Sequence, residues 1–346
     1  MDIHEKWMSR AINLAQLAGS EVGLNPNVGA VLVYKNRIIG EGYHKAYGSN
    51  HAEKNALLDV ADKDKHLIAN ASMYVTLEPC NHQGKTGPCS QLIAEHNIKN
   101  VYISCLDPNT QVKGGGLKYL LSNNVNVTTG ILEAAGQQLI RKFRVTSSKN
   151  RPYVILKYAQ SADFFIGQKD QQVWLTNALT QRQNHKWRTE VDAILVGTKT
   201  ALLDDPALTA RYYPGRNPIR VVIDKNCTIS TSKKLFNNEA KTLIFNNLHS
   251  IEHDAHRYIK ISFQDNVVRQ ILEHLFAEGI YTLIVEGGAQ TIRHFIEQSC
   301  WDEARVITTA TILESGIKAP RINGILQQTR HIDSDVIRWL TPNEVK

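Results

Sequence analysis

Four residues in the first third of this chain could together make a hydrolytic metal site: His51 and Glu53 in His51-Ala52-Glu53, Cys80 in Pro79-Cys80, and Cys89. A zinc ion that performs chemistry takes three protein ligands and keeps the fourth position for water, and one imidazole with two thiolates fills that count. Glu53 is then left over. Two positions after a ligating His, at the start of a helix, a carboxylate reaches the water without binding the metal, as general acid/base work requires. A structural zinc would want four protein ligands and no neighbouring carboxylate, and only two cysteines lie nearby. His51, Cys80 and Cys89 are therefore the expected zinc ligands, and Glu53 the expected proton carrier.

The cysteine spacing narrows the chemistry. Zinc deaminases of bases combine His-x-Glu with Pro-Cys-x-x-Cys, whereas here eight residues separate Cys80 from Cys89. The insert, 81–88, must loop out beside the metal. Its His82, Lys85, Thr86 and two glycines suit contact with a substrate better than the role of a spacer.

Elements must hold these residues in place. Alternating helix and strand signals predict an α/β layer, with strands over 28–34, 37–42, 72–78 and 101–105. Helices are expected after His51, near Cys89 and over 117–121. Asp107-Pro108-Asn109 follows a strand end directly, where α/β sheets place ligand contacts; these residue types equally form an ordinary turn. The basic, Ser-containing stretch 141–151 before Pro152 marks a domain boundary. Beyond it, strands are expected over 153–157, 193–197, 219–224, 242–245 and 281–286. No G-x-G-x-x-G occurs. Gly287 and Gly288 stand where a buried strand turns into a helix over 290–298, so they make either a tight turn or a cradle for a ligand phosphate.

Length and composition bound the remaining choices. At 346 residues, with 42% apolar and 21% charged residues, the chain is long enough for two globular domains. Its first twenty residues follow amphipathic helix spacing and lack a signal-peptide core, and no stretch is apolar enough to span a membrane. Five cysteines, at 80, 89, 105, 227 and 300, show no disulfide-scaffold pattern. A reducing cytoplasm is the economical inference. The net charge of +7 is spread evenly, with 16 Lys and Arg against 12 Asp and Glu before residue 151 and 24 against 21 after it. That distribution forms no basic stripe, which argues against a nucleic-acid deaminase; mild positive charge suits a phosphorylated small molecule. A ligand-binding module with a merely structural zinc is the other rival, and it leaves Glu53 without a task.

Asn25-Pro26-Asn27-Val28-Gly29-Ala30, His51-Ala52-Glu53, the long Pro79 to Cys89 loop, Asp107-Pro108-Asn109 and Leu203-Asp204-Asp205-Pro206 occur in this order. In that order, and over nearly the whole length, the chain resembles the bifunctional deaminase/reductase family of riboflavin biosynthesis. The resemblance implies a cytidine-deaminase-like three-layer α/β domain over 1–146 and a dihydrofolate-reductase-like domain over 151–346. The first would remove the 2-amino group of a diaminopyrimidinone ribosylamine 5′-phosphate with zinc-activated water, Glu53 carrying the proton. The family's substrate contacts fall on Asn25, His44, His82, Lys85, Asp107 and Asn109. The second domain would use NADPH to reduce the ribosyl group to ribityl. Cofactor contacts carry over to Ala159, Trp174, Thr200, Asp204 and the run Gly288, Ala289, Gln290, Thr291, Ile292, Arg293 and His294. Substrate contacts carry over to Gln172, Arg188, Leu208, Arg211 and Glu286, the two guanidinium forks suiting the 5′-phosphate. This architecture commonly associates through helix faces, so a homo-oligomer is expected.

Departures from the family pattern are visible. Ser161-Ala162-Asp163-Phe164 stands for Ser-x-Asp-Gly, Thr86-Gly87-Pro88 for Thr-Pro-Pro, Gln172 for a common serine, and Lys225 for a small polar residue. Phe adopts glycine's left-handed geometry only at a cost, so a reshaped turn is expected at Phe164. Both activities are nonetheless expected to survive.

Overall fold

In the computed structural model, described for residues 2–83, 87–108, 115–169 and 171–343, the chain divides into two compact units, 1–149 and 150–346. Unit 1 is built on β1 (Gly29–Tyr34), β2 (Arg37–Tyr43), β3 (Ser72–Leu77), β4 (Asn100–Cys105) and β5 (Asn126–Thr129), in the order β2-β1-β3-β4-β5. β1 pairs antiparallel with β2 and β3, and β3-β4-β5 run parallel.

The period-2 alternation of the central strands makes three layers. Ala30 and Leu32 of β1, with Met73 and Val75 of β3, join one core with α2 (Ala52–Leu58), α3 (Cys89–Glu95) and α4 (Gly115–Ser122). Val31, Val33 and Tyr74, pointing the other way, join Trp7, Met8, Ala11 and Ile12 of α1 (Ile3–Ala15). Gly42 lets α2 lie directly on β2, because a Cβ there would collide with the backbone of Ala52 and Ala56. That close approach sets the height of His51, the N-cap of α2.

The stretch expected as a boundary is mostly helical. After α5 (Glu133–Leu139), α6 spans Arg141–Lys149. Its hydroxyls bond back into the helix, Thr146 and Ser147 donating to the carbonyls of Lys142 and Phe143. Asn150, with φ of 48°, and Pro152 then end it. Back-bonding satisfies these hydroxyls inside the helix, and Phe143 packs against Leu77, Cys105 and Ile140 to hold the helix down.

Unit 2 contains the five expected strands as β6 (Tyr153–Gln160), β8 (Ala193–Gly197), β9 (Ile219–Ile223), β10 (Thr242–Asn246) and β13 (Thr282–Val285). To these it adds β7 (Phe165–Gly167), β11 (Ile251–Glu252), β12 (His256–Lys260), β14 (Glu303–Thr308), β15 (Ile317–Lys318), β16 (Gly324–Ile332) and β17 (Asp335–Pro342). The main sheet runs β11-β12-β10-β9-β8-β13-β6-β14-β17-β16, parallel from β12 to β14 and antiparallel at both edges. Its central strands are buried on both faces, as parallel strands under helices must be. Val154, Leu156, Leu195 and Leu283 meet α9 (Val267–Ala277) and α10 (Ala289–Glu297), while Ile155, Ile194 and Ile284 are equally inaccessible to solvent. Two further helices, α7 (Ala178–Thr189) and α8 (Thr198–Asp204), flank β8 in sequence. Among the described residues no helix is long and apolar enough to cross a membrane.

Phe164 itself takes the left-handed conformation that was expected to be too costly for it. Phe164 sits at φ of 66°, its N–H donating to the Ser161 carbonyl and its carbonyl accepting from Ala319 N–H. Ser161 Oγ accepts from Phe165 N–H, and the Asp163 carboxylate from Leu313 and Glu314. These partners hold the turn against the steric cost of a left-handed Phe.

Candidate active sites

In unit 1, β3 delivers Cys80, α3 starts on Cys89, and α2 starts behind His51, so two helix starts and a strand end converge. His51 Nδ1 lies 3.5 Å from Cys80 Sγ and 3.4 Å from Cys89 Sγ, and the three donor atoms fall within 4.8 Å of one another. Tetrahedral zinc with ordinary Zn–N and Zn–S bonds needs N···S edges of about 3.6 Å. The donor set and its spacing therefore fit zinc. Cys89 N–H also donates to Cys80 Sγ at 3.4 Å. That sulfur's pKa is lowered, first by the hydrogen bond with the Cys89 thiol and then by His51, whereas the Cys89 pKa is raised by the same bond and by burial.

Glu53 is 3% exposed, on the first turn of α2, and is not in the donor cluster. Burial first, and then the Cys80 thiolate, pushes its carboxyl up to about 7. His44 packs edge to face on His51 at 5.6 Å. Its Nδ1 lies 3.1 Å from the Asn50 carbonyl and can only donate there, so Nε2 accepts from Asn25 Nδ2 at 2.9 Å. Burial lowers the His44 pKa, which keeps this neutral tautomer in place.

His82 is exposed and Asp107 half-buried. Lys85 and Asn109 lie outside the described residues. Glu78, quoted from the sequence only as a strand end, is buried and accepts from the backbone of Asp107, Gly116 and Leu117. It ties the strand carrying Pro79-Cys80 to α4 and to the Asp107 turn. A Glu directly before Pro-Cys at the end of an apolar strand was the available signal.

Unit 2 carries a cavity of about 1970 Å³ at the carboxyl ends of β6, β8, β9 and β13, where open α/β sheets bind ligands. It brings together Ala159, Gln172, Trp174, Arg188, Thr200, Asp204, Leu208, Arg211, Glu286, Gly288, Ala289, Gln290, Thr291 and His294. Ile292 and Arg293 do not line it: Ile292 is in the hydrophobic core and Arg293 is exposed. Residues 289–297 form a helix, and a helix turns only one face to a cavity, so an unbroken run cannot contribute every side chain. The Gly288 N–H, offered above to a phosphate, donates to Thr200 Oγ1 at 3.0 Å. A Cβ on Gly287 would press on Gly197 N and Thr291, so the glycines also serve close packing.

Glu286, just past β13, accepts from Arg188 at 2.8 Å and lies 3.9 Å from Lys157 Nζ. Burial would raise its pKa, yet Arg188 and Lys157 outweigh burial and hold it at about 2. Arg188 also donates to the Thr209 carbonyl at 3.1 Å. Lys157, Asn184 and His185 line the same cavity and were not foreseen. A lysine inside the apolar run 153–158 and polar residues spaced three and four apart on α7 were the signals for them.

A half-buried His/Cys/Cys cluster on a three-layer α/β sheet, followed by a parallel sheet with a large cleft at its strand ends, defines a two-unit enzyme. The first unit is cytidine-deaminase-like and the second dihydrofolate-reductase-like. Residues 1–105 match the cytidine and deoxycytidylate deaminase zinc-binding region, and residues 152–332 the RibD C-terminal domain. The riboflavin biosynthesis protein RibD of Aquifex aeolicus is 32% identical over 91% of this chain and 89% of its own, and that of Escherichia coli 32% over 90% and 84%. A solved structure from Thermotoga maritima, described as a diaminohydroxyphosphoribosylaminopyrimidine deaminase/5-amino-6-(5-phosphoribosylamino)uracil reductase, is 32% identical. It covers 99% of both chains with a TM-score of 0.86. The chain belongs to the RibD family of riboflavin biosynthesis proteins, bifunctional enzymes with a deaminase and a reductase in one polypeptide. Matches in both halves do not favour the nucleic-acid alternative.

Proposed function

We propose that residues 1–146 deaminate 2,5-diamino-6-(5-phosphoribosylamino)pyrimidin-4(3H)-one hydrolytically, and that residues 151–346 then reduce the ribosyl side chain to ribityl with NADPH. The observation that carries the first step is the buried Glu53 carboxyl beside the His51, Cys80 and Cys89 donors. Those three residues would hold zinc, which when bound supplies the Lewis acidity that activates water. Glu53 takes the water's proton and passes one to the departing amino group, so that ammonia leaves as the ring carbonyl forms. Asn25 and His44, locked to each other, present fixed polar groups at the mouth, and His82, Lys85, Asp107 and Asn109 complete the substrate contacts.

The reductive step needs a hydride at C1′ of the opened sugar and a proton on the adjoining nitrogen. NADPH supplies the hydride when bound. Ala159, Trp174, Thr200, Asp204 and the α10 start are its proposed contacts. The reading puts Gln172, Arg188, Leu208, Arg211 and Glu286 on the substrate, and orientation of two ligands in one cleft is the protein's main contribution. Preference for NADPH over NADH rests on family membership. The five cysteines, all free, support a reducing compartment.

Purified, zinc-loaded protein supplied with this pyrimidine should release ammonia and oxidise NADPH in equal amounts, with NADH markedly poorer. Ammonia without NADPH loss would remove the reductase half. Neither signal from folded protein would remove the substrate assignment.

A further inference from the structure

The end of β3 carries a buried carboxylate outside the zinc donor cluster. Glu78, two residues before Cys80, is 4% exposed, and its N–H donates to the Cys105 carbonyl at 3.0 Å. Its two oxygens serve different elements. Oε1 accepts from the N–H groups of Gly116 and Leu117 in the first turn of α4, both at 3.1 Å, whereas Oε2 accepts from Asp107 N–H at 3.3 Å. α4 lies directly on the same strand end, because a Cβ on Gly116 would come within 1.8 Å of the Pro79 carbonyl oxygen.

We propose that Glu78 is a positioning residue of the deaminase site, one that holds Asp107 in register with the zinc donors. The proposal rests on the deaminase reading and deepens it, since it names what fixes one of that reading's substrate contacts. The last β3–β4 pair joins Leu77 to Cys105, so Asp107 lies beyond the ladder. A side chain does there what strand pairing no longer does. The same short stretch sets Cys80, whose carbonyl accepts from Ser90 N–H at 3.1 Å on the first turn of α3. Asp107 and a zinc ligand are thus placed from one strand end, and Glu78 is the link between them.

The division of labour between the two oxygens makes the role separable from general support. A carboxylate accepts on both oxygens, whereas a glutamine amide has one acceptor and one NH2 donor. In Glu78→Gln the remaining oxygen serves best where two N–H groups converge, at the start of α4. The amide NH2 then meets Asp107 N–H, donor against donor. The substitution therefore releases Asp107 and leaves α4 seated.

The test uses the full, zinc-loaded chain. In Glu78→Gln the KM of ammonia release from the pyrimidine should rise about tenfold with kcat held within about threefold, because a binding contact and not the chemistry is lost. Zinc content should stay at one per chain. Amide hydrogen exchange followed by NMR should be at least about tenfold faster at Asp107 and within about twofold at Gly116 and Leu117. Added to Asp107→Ala, the same substitution should raise KM by less than about twofold further, since both act through one contact. An unchanged KM, additive effects, lost zinc, or exchange quickened equally at all three amides would each overturn the proposal. If Glu78→Gln does not fold, the parent chain decides: the three amides should share one opening free energy across a urea series, and separate openings would overturn it. The deaminase reading fails separately. No ammonia release from the parent chain, with quickened exchange confined to Asp107 in the variant, would remove the reaction and leave Glu78 as the holder of that turn. Ammonia release with KM and exchange both unmoved by the substitution would do the reverse.

Discussion

Glu53 is buried where a carboxylate would otherwise avoid going, beside two sulfurs and 3% exposed. The donor cluster excludes it, and proton transfer is its proposed task. Glu53→Gln keeps the shape and removes that proton: ammonia release should fall by about 10²–10⁴-fold while metal analysis still finds one zinc per chain. Zinc lost along with activity would make Glu53 structural. Phe164 offers the opposite experiment, a left-handed residue with a mostly exposed ring. It is 62% exposed at φ of 66°. Phe164→Gly should stabilise unit 2 by about 0.5–1 kcal/mol in urea unfolding, relief of left-handed strain exceeding glycine's entropic cost. A destabilised variant would show that the exposed ring packs on something that matters.

At the scale of elements, unit 2 is fastened by charges that close long sequence gaps. Asp302 accepts two bonds from Arg151, at 2.6 and 2.8 Å, and one from Val154 N–H, tying the start of β6 to the start of β14. Removing one member of a buried pair strands the other, so Asp302→Ala should cost unit 2 about 3–5 kcal/mol, read as a lower urea midpoint. Glu286 fastens β13 to α7 in the same way, and its effect depends on pH. Its folded pKa is depressed to about 2, so the stability it contributes is fully present above the unfolded value of about 4.5 and is lost as pH falls toward 2. Glu286→Gln should therefore flatten the acid limb of the stability curve between those values; an unchanged slope would mean that other carboxylates carry it. Such ties also mark what sequence could and could not reveal. His51, Cys80, Cys89 and the five central strands were legible, because zinc spacing and continuous apolar runs are local signals. β16 was not, since nearly all its residues are exposed and Gly324–Ile332 shows no alternation. The pairing of Lys157 with Glu286, 3.9 Å apart and 129 positions away in sequence, was not legible either, since no local pattern reports such a distance. The run Gly288 to His294 was over-read, because contiguity stood in for a helix face.

On the scale of the whole molecule, each unit has its own core and its own site: the zinc donors belong to residues 1–149, and the cavity is lined wholly by residues 150–346. Chemistry divides the same way, since hydrolysis needs a Lewis acid and a proton carrier whereas hydride transfer needs neither zinc nor Glu53. Treating the protein with a chelator should then abolish ammonia release from the diamino compound while leaving NADPH oxidation on supplied deaminated intermediate within about twofold. Restoring zinc should restore ammonia release, because His51 and the two cysteines sit at helix starts and a strand end whose apolar faces are buried in the unit 1 core. Circular dichroism on the stripped protein separates the possible failures. Loss of both activities with the fold intact would mean that zinc also serves the reductase. Loss of both with the fold collapsed would mean that zinc binding supplies folding energy to unit 1 and, through it, to the whole chain.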